Sequence, residues 1–304
     1  MKNKILFIVL IIFLGSCAKQ EKEEFNFIFI GHSYQWHQKY TIDKRLEKID
    51  YSNYDEVWLG GDLCSEIIPG SNTLLHIDSL FNIKSENTYW SLGNHDTRKG
   101  AIHEIENFTQ KDTYYAKYKN GITRLVLNTN FNNKQVEVLK NNCEELEKQY
   151  NLIKNVTDTI KDSEYLIMLI HGSAWEDVEN DIPKFQANLR QKDYLFTCDS
   201  NSTFKNKIYP LFVNARERGV KVVLISGDYG QKSKSFEYTT KDDIVFLGSG
   251  INNSILDKPE STQYYSYVTN FDPDQILTFK YNTKEKKLTW EFVVLNDFIK
   301  EDDK

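Results

Sequence analysis

With 304 residues, 40% of them hydrophobic, and a formal net charge of −6, the chain has enough apolar material for a sizeable core. That charge disfavours a nucleic-acid-binding surface and does nothing to steer an anionic substrate inward, so any attraction for phosphate must come from a local site. No Pro/Gly/Ser-rich linker or internal repeat interrupts the chain, which points to one large sheet-based domain.

The chain opens with Lys2 and Lys4, an apolar run from Ile5 to Leu14, and Gly15-Ser16-Cys17. This is the order of a charged region, an apolar region and a small-residue cleavage site, and the run is too short to span a bilayer comfortably. Leu14-Gly15-Ser16-Cys17 resembles a bacterial lipobox, which implies a signal peptide over residues 1–16 and lipidation of Cys17; an ordinary secretory leader is the alternative. Loss of Lys2 and Lys4 with the leader takes the net charge from −6 to −8. Residues 17–24 then form a polar tether. Ala18, in place of an aspartate, favours attachment to the outer membrane. Lys22-Glu23-Glu24 resembles a surface-export signal as much as a plain charged linker, so the expected location is the cell envelope, facing the periplasm or displayed outside.

The domain is expected over residues 25–298, with a charged tail over 299–304. Its first strand, Phe25 to Ile30, runs into Gly31-His32-Ser33-Tyr34, followed by a loop holding Trp36 and His37. A second, Asp55 to Leu59, ends in Gly60-Gly61-Asp62. A third, Tyr89 to Leu92, ends in Gly93-Asn94-His95-Asp96, which gathers an amide, an imidazole and a carboxylate on one tight turn. Residues 113–118 and 124–128 read as a hairpin across Asn120-Gly121. A long helix over 135–160 leads to the strand Tyr165 to Ile170, which ends at His171-Gly172. A helix near 208–218 stops at Gly219 before the strand that ends in Gly227-Asp228. Strands at 244–247, 275–281 and 287–295 complete the chain, and Tyr264 to Tyr267 also alternates like a strand. His76 and His103 fall in expected helices as surface or packing residues.

Five strand-end motifs in this order resemble the calcineurin-like metallophosphoesterases, whose members carry Asp-x-His, Gly-Asp, Gly-Asn-His-Asp or -Glu, a lone His, and Gly-His-x-His. The resemblance covers roughly residues 25 to 298 and implies an α/β fold, a four-layer αββα sandwich of two mixed sheets flanked by helices. The three middle motifs match closely. The first reads His32-Ser33-Tyr34 and the last Asp228-Tyr229-Gly230, so the outer ligands are altered.

Carried over residue by residue, one metal site retains His32 and Asp62, with Tyr34 a poor ligand at its ordinary pKa of about 10. The other retains Asp62, Asn94 and His171, with Asp228 in place of a histidine. This oxygen-rich set favours manganese (Mn) or magnesium (Mg) over zinc (Zn), with one strong site and a weak second. If His32 and Tyr34 point into the cleft of Asp62, the first site has been rebuilt; if they turn into packing, a dinuclear mechanism is excluded. His95 stands as the acid that protonates a leaving oxygen, Asp96 as the residue that holds its ring, and Arg98 either as a fork for a substrate phosphate or as a solvated helix residue.

Cys64, Cys143 and Cys198 are too widely spaced for a clustered metal motif, and their odd number leaves at least one unpaired. Cys143 shares an apolar stripe with Leu139, Leu146 and Tyr150 and reads as a core residue of one helix face. Cys64, two residues beyond Asp62, reads as a small buried thiol or as a neighbour of the metal centre. Two functions remain. One is a metal-dependent hydrolase of phosphate mono- or diesters, held to the membrane through Cys17. The other is a catalytically weak or inactive family member that acts as an envelope binding protein.

Overall fold

The structure is a computed structural model that describes residues 22–34, 42–132, 136–182, 194–228, 235–251 and 273–301. Cys17 with its leader, the loop of Trp36 and His37, and the segment Tyr264 to Tyr267 lie outside these residues.

The elements run β1 (Glu24–Ile30), β2 (Glu56–Leu59), α1 (Thr73–Phe81), β3 (Thr88–Trp90), α2 (Ile102–Thr109), β4 (Tyr115–Lys119) and β5 (Ile122–Val126). They continue through α3 (Val136–Thr159), β6 (Tyr165–Gly172), α4 (Tyr209–Glu217), β7 (Lys221–Asp228), β8 (Ser235–Thr239), β9 (Ile244–Ser249), β10 (Gln275–Asn282), β11 (Lys287–Val294) and α5 (Leu295–Glu301). The first sheet has the order β11-β10-β1-β2-β3 and the second β4-β5-β6-β7-β9-β8. In the second sheet the parallel strands are flanked by an antiparallel strand at each edge, whereas in the first only the β10–β11 side is antiparallel and β3 forms a parallel edge, with β1 parallel to β2 but antiparallel to β10.

Burial on both faces explains the near-continuous apolar strands. In β1, Phe27 and Phe29 pack between the sheets with Trp58, Ile167, Leu169 and Ile225. Ile28 and Ile30 face the opposite way, into the core beneath α1, α2 and α5. In β6, Leu166, Met168 and Ile170 pack outward against Phe204 and Phe212. These three cores separate four layers, as the αββα architecture requires. The hairpin turns at Asn120 and Gly121 with φ of 50° and 77°, the paired positive values of a type I′ turn.

At the end of the described chain α5 continues to Glu301, and Ile299 packs in the core of the first sheet. At its start the Glu23 carbonyl accepts from the Thr283 N–H at 2.9 Å. One expectation needs correction. Cys143 is not a core residue but forms a disulfide with Cys198, Cα atoms 5.5 Å apart, while the core side of α3 is taken by Leu146 and Ile153. This cystine ties α3 to the segment that precedes α4. Cys64 is a free, buried thiol.

One buried ion pair crosses between the sheets. Arg124 of β5 donates through Nε to Glu56 of β2 at 2.9 Å, with side-chain exposures of 0% and 1%. The Trp58 indole N–H donates to the same carboxylate at 2.9 Å, and Arg124 Nη1 reaches the carbonyls of Lys119 and Ile122 at 2.7 and 2.9 Å. Burial raises the Glu56 carboxyl above its ordinary value, against the pull of Arg124. Removing one partner strands the other charge in the core. Glu56→Leu alone is therefore expected to cost about 3–5 kcal/mol in urea unfolding, and Glu56→Leu with Arg124→Met to recover most of it. Equal losses in the single and double variants would show that the pair contributes only packing.

Candidate functional site

The carboxyl ends of β1, β2, β6 and β7 meet because glycines let the two sheets touch there. A Cβ on Gly227 of β7 would lie 2.0 Å from the Gly60 carbonyl oxygen, and one on Gly93 would lie 2.1 Å from Asp62 Oδ1. The loop after β1 is zipped to the loop after β2: the His32 N–H donates to the Gly61 carbonyl at 3.0 Å and the Tyr34 N–H to that of Asp62 at 3.1 Å. His32 and Asp62 both adopt left-handed backbone, with φ of 48° and 51°. Such residues cost about 1 kcal/mol or more each and persist only where the surroundings over-determine them.

Asp62 is the centre of the cluster, at 1% exposure. Its Oδ1 accepts from the His95 backbone N–H at 2.8 Å. Its Oδ2 faces three imidazoles, with Nε2 of His171 at 3.4 Å, of His32 at 3.6 Å and of His95 at 3.9 Å. The Nδ1 atom of His171 lies 2.8 Å from the Gly60 carbonyl, which can only accept, so that nitrogen carries the proton. Its buried Nε2 finds no hydrogen-bond partner among the described residues and aims at the carboxylate. Burial lowers the His171 pKa, but the Asp62 charge outweighs it and pushes the value up to about 10. Burial likewise opposes ionisation of Asp62, yet the surrounding imidazoles, His171 foremost, hold its carboxyl well below the usual range.

His95 has a different environment. Its Nδ1 is 2.9 Å from the Ser65 carbonyl, and Arg98 Nη2 lies 3.0 Å from Nε2. A carbonyl only accepts and a guanidinium only donates, so the ring rests neutral, protonated on Nδ1. Burial lowers its pKa accordingly. The Tyr34 ring sits between two histidines, 4.5 Å from the centroid of His95 and 4.9 Å from that of His32. His32 and Tyr34 thus both turn into the cleft of Asp62.

Asp96 does not hold the His95 ring as expected. Its fully buried carboxylate accepts backbone N–H groups from Asp62 at 2.8 Å, Leu63 at 3.0 Å and Gly93 at 2.9 Å, clamping two site loops together. The Ser65 carbonyl takes the orienting role, a backbone group that no side-chain pattern announces. Burial and the charge of Asp62 push Asp96 up to about 7 against these donors. Asn94 is exposed on the turn, and Asp228 is half-buried at the end of β7, opposite Gly172, where its charge acts on His171. Cys64 stays in the core, its Sγ 3.4 Å from the Glu66 carbonyl and its thiol pKa raised by burial. Tyr194, which carried no sequence signal, reaches the site at Gly172.

A family model described as calcineurin-like phosphoesterase matches residues 25–208, and the chain belongs to this family. The match covers His32, Asp62, Asn94, His95 and His171 and ends before β7 and Asp228. No curated protein matches the chain. The family binds divalent metals. Among the described residues, no group of three or more His, Cys, Asp or Glu side chains is closed into a ligand shell. The donor chemistry nevertheless fits a cation at Asp62, because a buried imidazole nitrogen without a hydrogen bond faces a buried carboxylate oxygen there.

The three peptide donors make Asp96 a structural clamp. Asp96→Asn keeps the shape but sets an amide NH₂ or a single oxygen against them, and is expected to cost about 1–3 kcal/mol in chemical denaturation. Unchanged stability with reduced turnover would instead assign Asp96 to proton transfer.

Proposed function

We propose that this protein is an envelope-anchored phosphoesterase that uses a divalent metal to hydrolyse phosphate mono- or diesters. The observation that carries this reading is the unbonded Nε2 of His171 facing Asp62 Oδ2 at 3.4 Å within a calcineurin-like fold. Asp62 and His171 would hold the ion, with His32 beside them and Asn94 and Asp228 at the rim. When bound, it supplies Lewis acidity and an activated water. Because His32 and Tyr34 turn into the Asp62 cleft, a weaker second site beside Tyr34 would accompany the ion held by Asp62 and His171. Two imidazoles on Asp62 also enrich the donor set in nitrogen, which moves preference from magnesium towards manganese and zinc.

The other residues handle substrate and protons. The Arg98 guanidinium is exposed and free to turn from His95 Nε2 to a phosphate oxygen, which it can grip with two parallel N–H bonds. His95 Nε2 is then open to take a proton and deliver it to the leaving oxygen, while Ser65 keeps the ring oriented. A second reading, a binding protein without turnover, is favoured by the resting Arg98–His95 contact and the open ligand shell.

Metal content and turnover of p-nitrophenyl mono- and diesters separate the two. His171→Ala is expected to lose bound metal. His95→Ala is expected to keep it and lose about 10²- to 10⁴-fold in turnover. Bound metal with no hydrolysis of either ester by the unaltered protein would favour the binding reading.

Anchoring would run through Cys17. The Cys143–Cys198 cystine supports an oxidising compartment such as the envelope, and among the described residues no helix is long and apolar enough to cross a membrane. Labelled palmitate is expected to enter the protein in bacterial cells and to be lost in Cys17→Ala. Labelling that survives this substitution would overturn lipidation at Cys17.

A further inference from the structure

β6 delivers His171 to Asp62 and, one residue later, places Gly172 opposite Asp228 of β7. The space a side chain would take at Gly172 is filled by Tyr194. A Cβ there would lie 2.1 Å from the tyrosine oxygen and 2.8 Å from Cζ. The phenol therefore stands at the mouth of β6, its ring packed against the outer core of the second sheet, with Asp228, Asp62 and Glu176 as the charges acting on its hydroxyl.

Tyr194 is also fixed from behind. Leu195 and Phe196 are buried, and the Phe196 ring packs on Phe204 at 5.8 Å. Ser202 Oγ accepts from the N–H groups of Phe196 and Thr197 at 3.2 and 3.0 Å, and the Ser202 N–H donates to the Asp199 carbonyl at 3.0 Å. Cys198, four residues after Tyr194, is bonded to Cys143 of α3. A phenylalanine would fill the same space, so packing alone does not account for the hydroxyl. A phenol with an ordinary pKa of about 10 is protonated at neutral pH and offers a donor without adding charge. On this wall that matters, because Asp228 repels an anion and Arg98 stands on the turn after His95, at a different strand mouth.

We infer that Tyr194 is a further substrate-contacting residue of this centre, donating its hydroxyl to a phosphoryl oxygen held at the mouths of β6 and β7, and that the Cys143–Cys198 cross-link keeps it in position. This rests on the phosphoesterase reading above.

The test is calorimetric binding of inorganic phosphate to the full-length metal-loaded protein and to Tyr194→Phe, with metal content and melting temperature measured on both. Tyr194→Phe is expected to bind phosphate about ten- to a hundredfold more weakly, with metal content and melting unchanged. Reduction of the disulfide is expected to weaken phosphate binding in the unaltered protein and to add nothing in Tyr194→Phe. Equal phosphate affinity in the two proteins would overturn the contact while leaving the phosphoesterase reading intact. Loss of metal in Tyr194→Phe would overturn it in favour of a role on the ion. Equal sensitivity of both proteins to reduction would overturn the positioning role of the cross-link. If the unaltered protein binds metal but no phosphate, the phosphoesterase reading fails and this inference fails with it.

Discussion

The approach of Gly60 to Gly227 is the constraint on which the site depends. Packed sheets ordinarily stand about 10 Å apart, separated by side chains. Here aromatic residues such as Phe27, Trp58 and Phe279 fill that space along most of the interface. At the carboxyl ends the side chains vanish and backbone meets backbone. A methyl group at either glycine would separate the strand mouths and, with them, Asp62 from His171. The centre exists because the two sheets are thick in the middle and bare at one end.

Further along the same sheets, Glu56 and Arg124 set the opposite kind of contact. Their charges are buried within the interface, and the Trp58 indole donates to the same Glu56 carboxylate. Glu56 and Asp62 belong to the same short strand and its loop, so the ion pair and the glycine contact together fix how β2 lies against the second sheet. The left-handed backbone at His32 and Asp62 is sustained by that double fixation, supported by the N–H groups that bind the two loops to one another.

Much of this was legible in the residue order. Strands buried on both faces read as apolar runs, and the runs of β1, β2, β3 and β7 end in glycine followed by a polar residue while that of β6 ends directly in His171, which places Asp62, His95 and His171 at strand mouths from the residue order alone. Asn120-Gly121 declared its turn because few residue pairs accept two positive φ values. What escaped were contacts made across sequence distance. Arg124 sits in a strand that otherwise reads as an edge hairpin, and its partner is Glu56 of another sheet. Cys143 had apolar neighbours at helical spacing, so it resembled core, while its true partner was Cys198. Asp96 follows His95 directly and invited pairing with it, but neighbours on a tight turn project apart, and the carboxylate found peptide N–H groups instead.

That last difference separates the two buried carboxylates by what holds them. Asp96 is satisfied by three backbone donors at 2.8–3.0 Å, which cannot leave without opening the loops. Asp62 has one such donor on Oδ1, while its Oδ2 meets only side-chain nitrogens at 3.4–3.9 Å, beyond hydrogen-bonding distance. An oxygen with peptide partners is part of the scaffold. An oxygen faced by imidazoles that stand just out of reach is open to a ligand that can bridge the gap, and a cation that displaced the proton His171 otherwise holds would meet both the carboxylate and the freed Nε2 lone pair. The fold thus places two aspartates a few residues from the same turn and, through the identity of their donors alone, makes one a fastening and leaves the other available for chemistry.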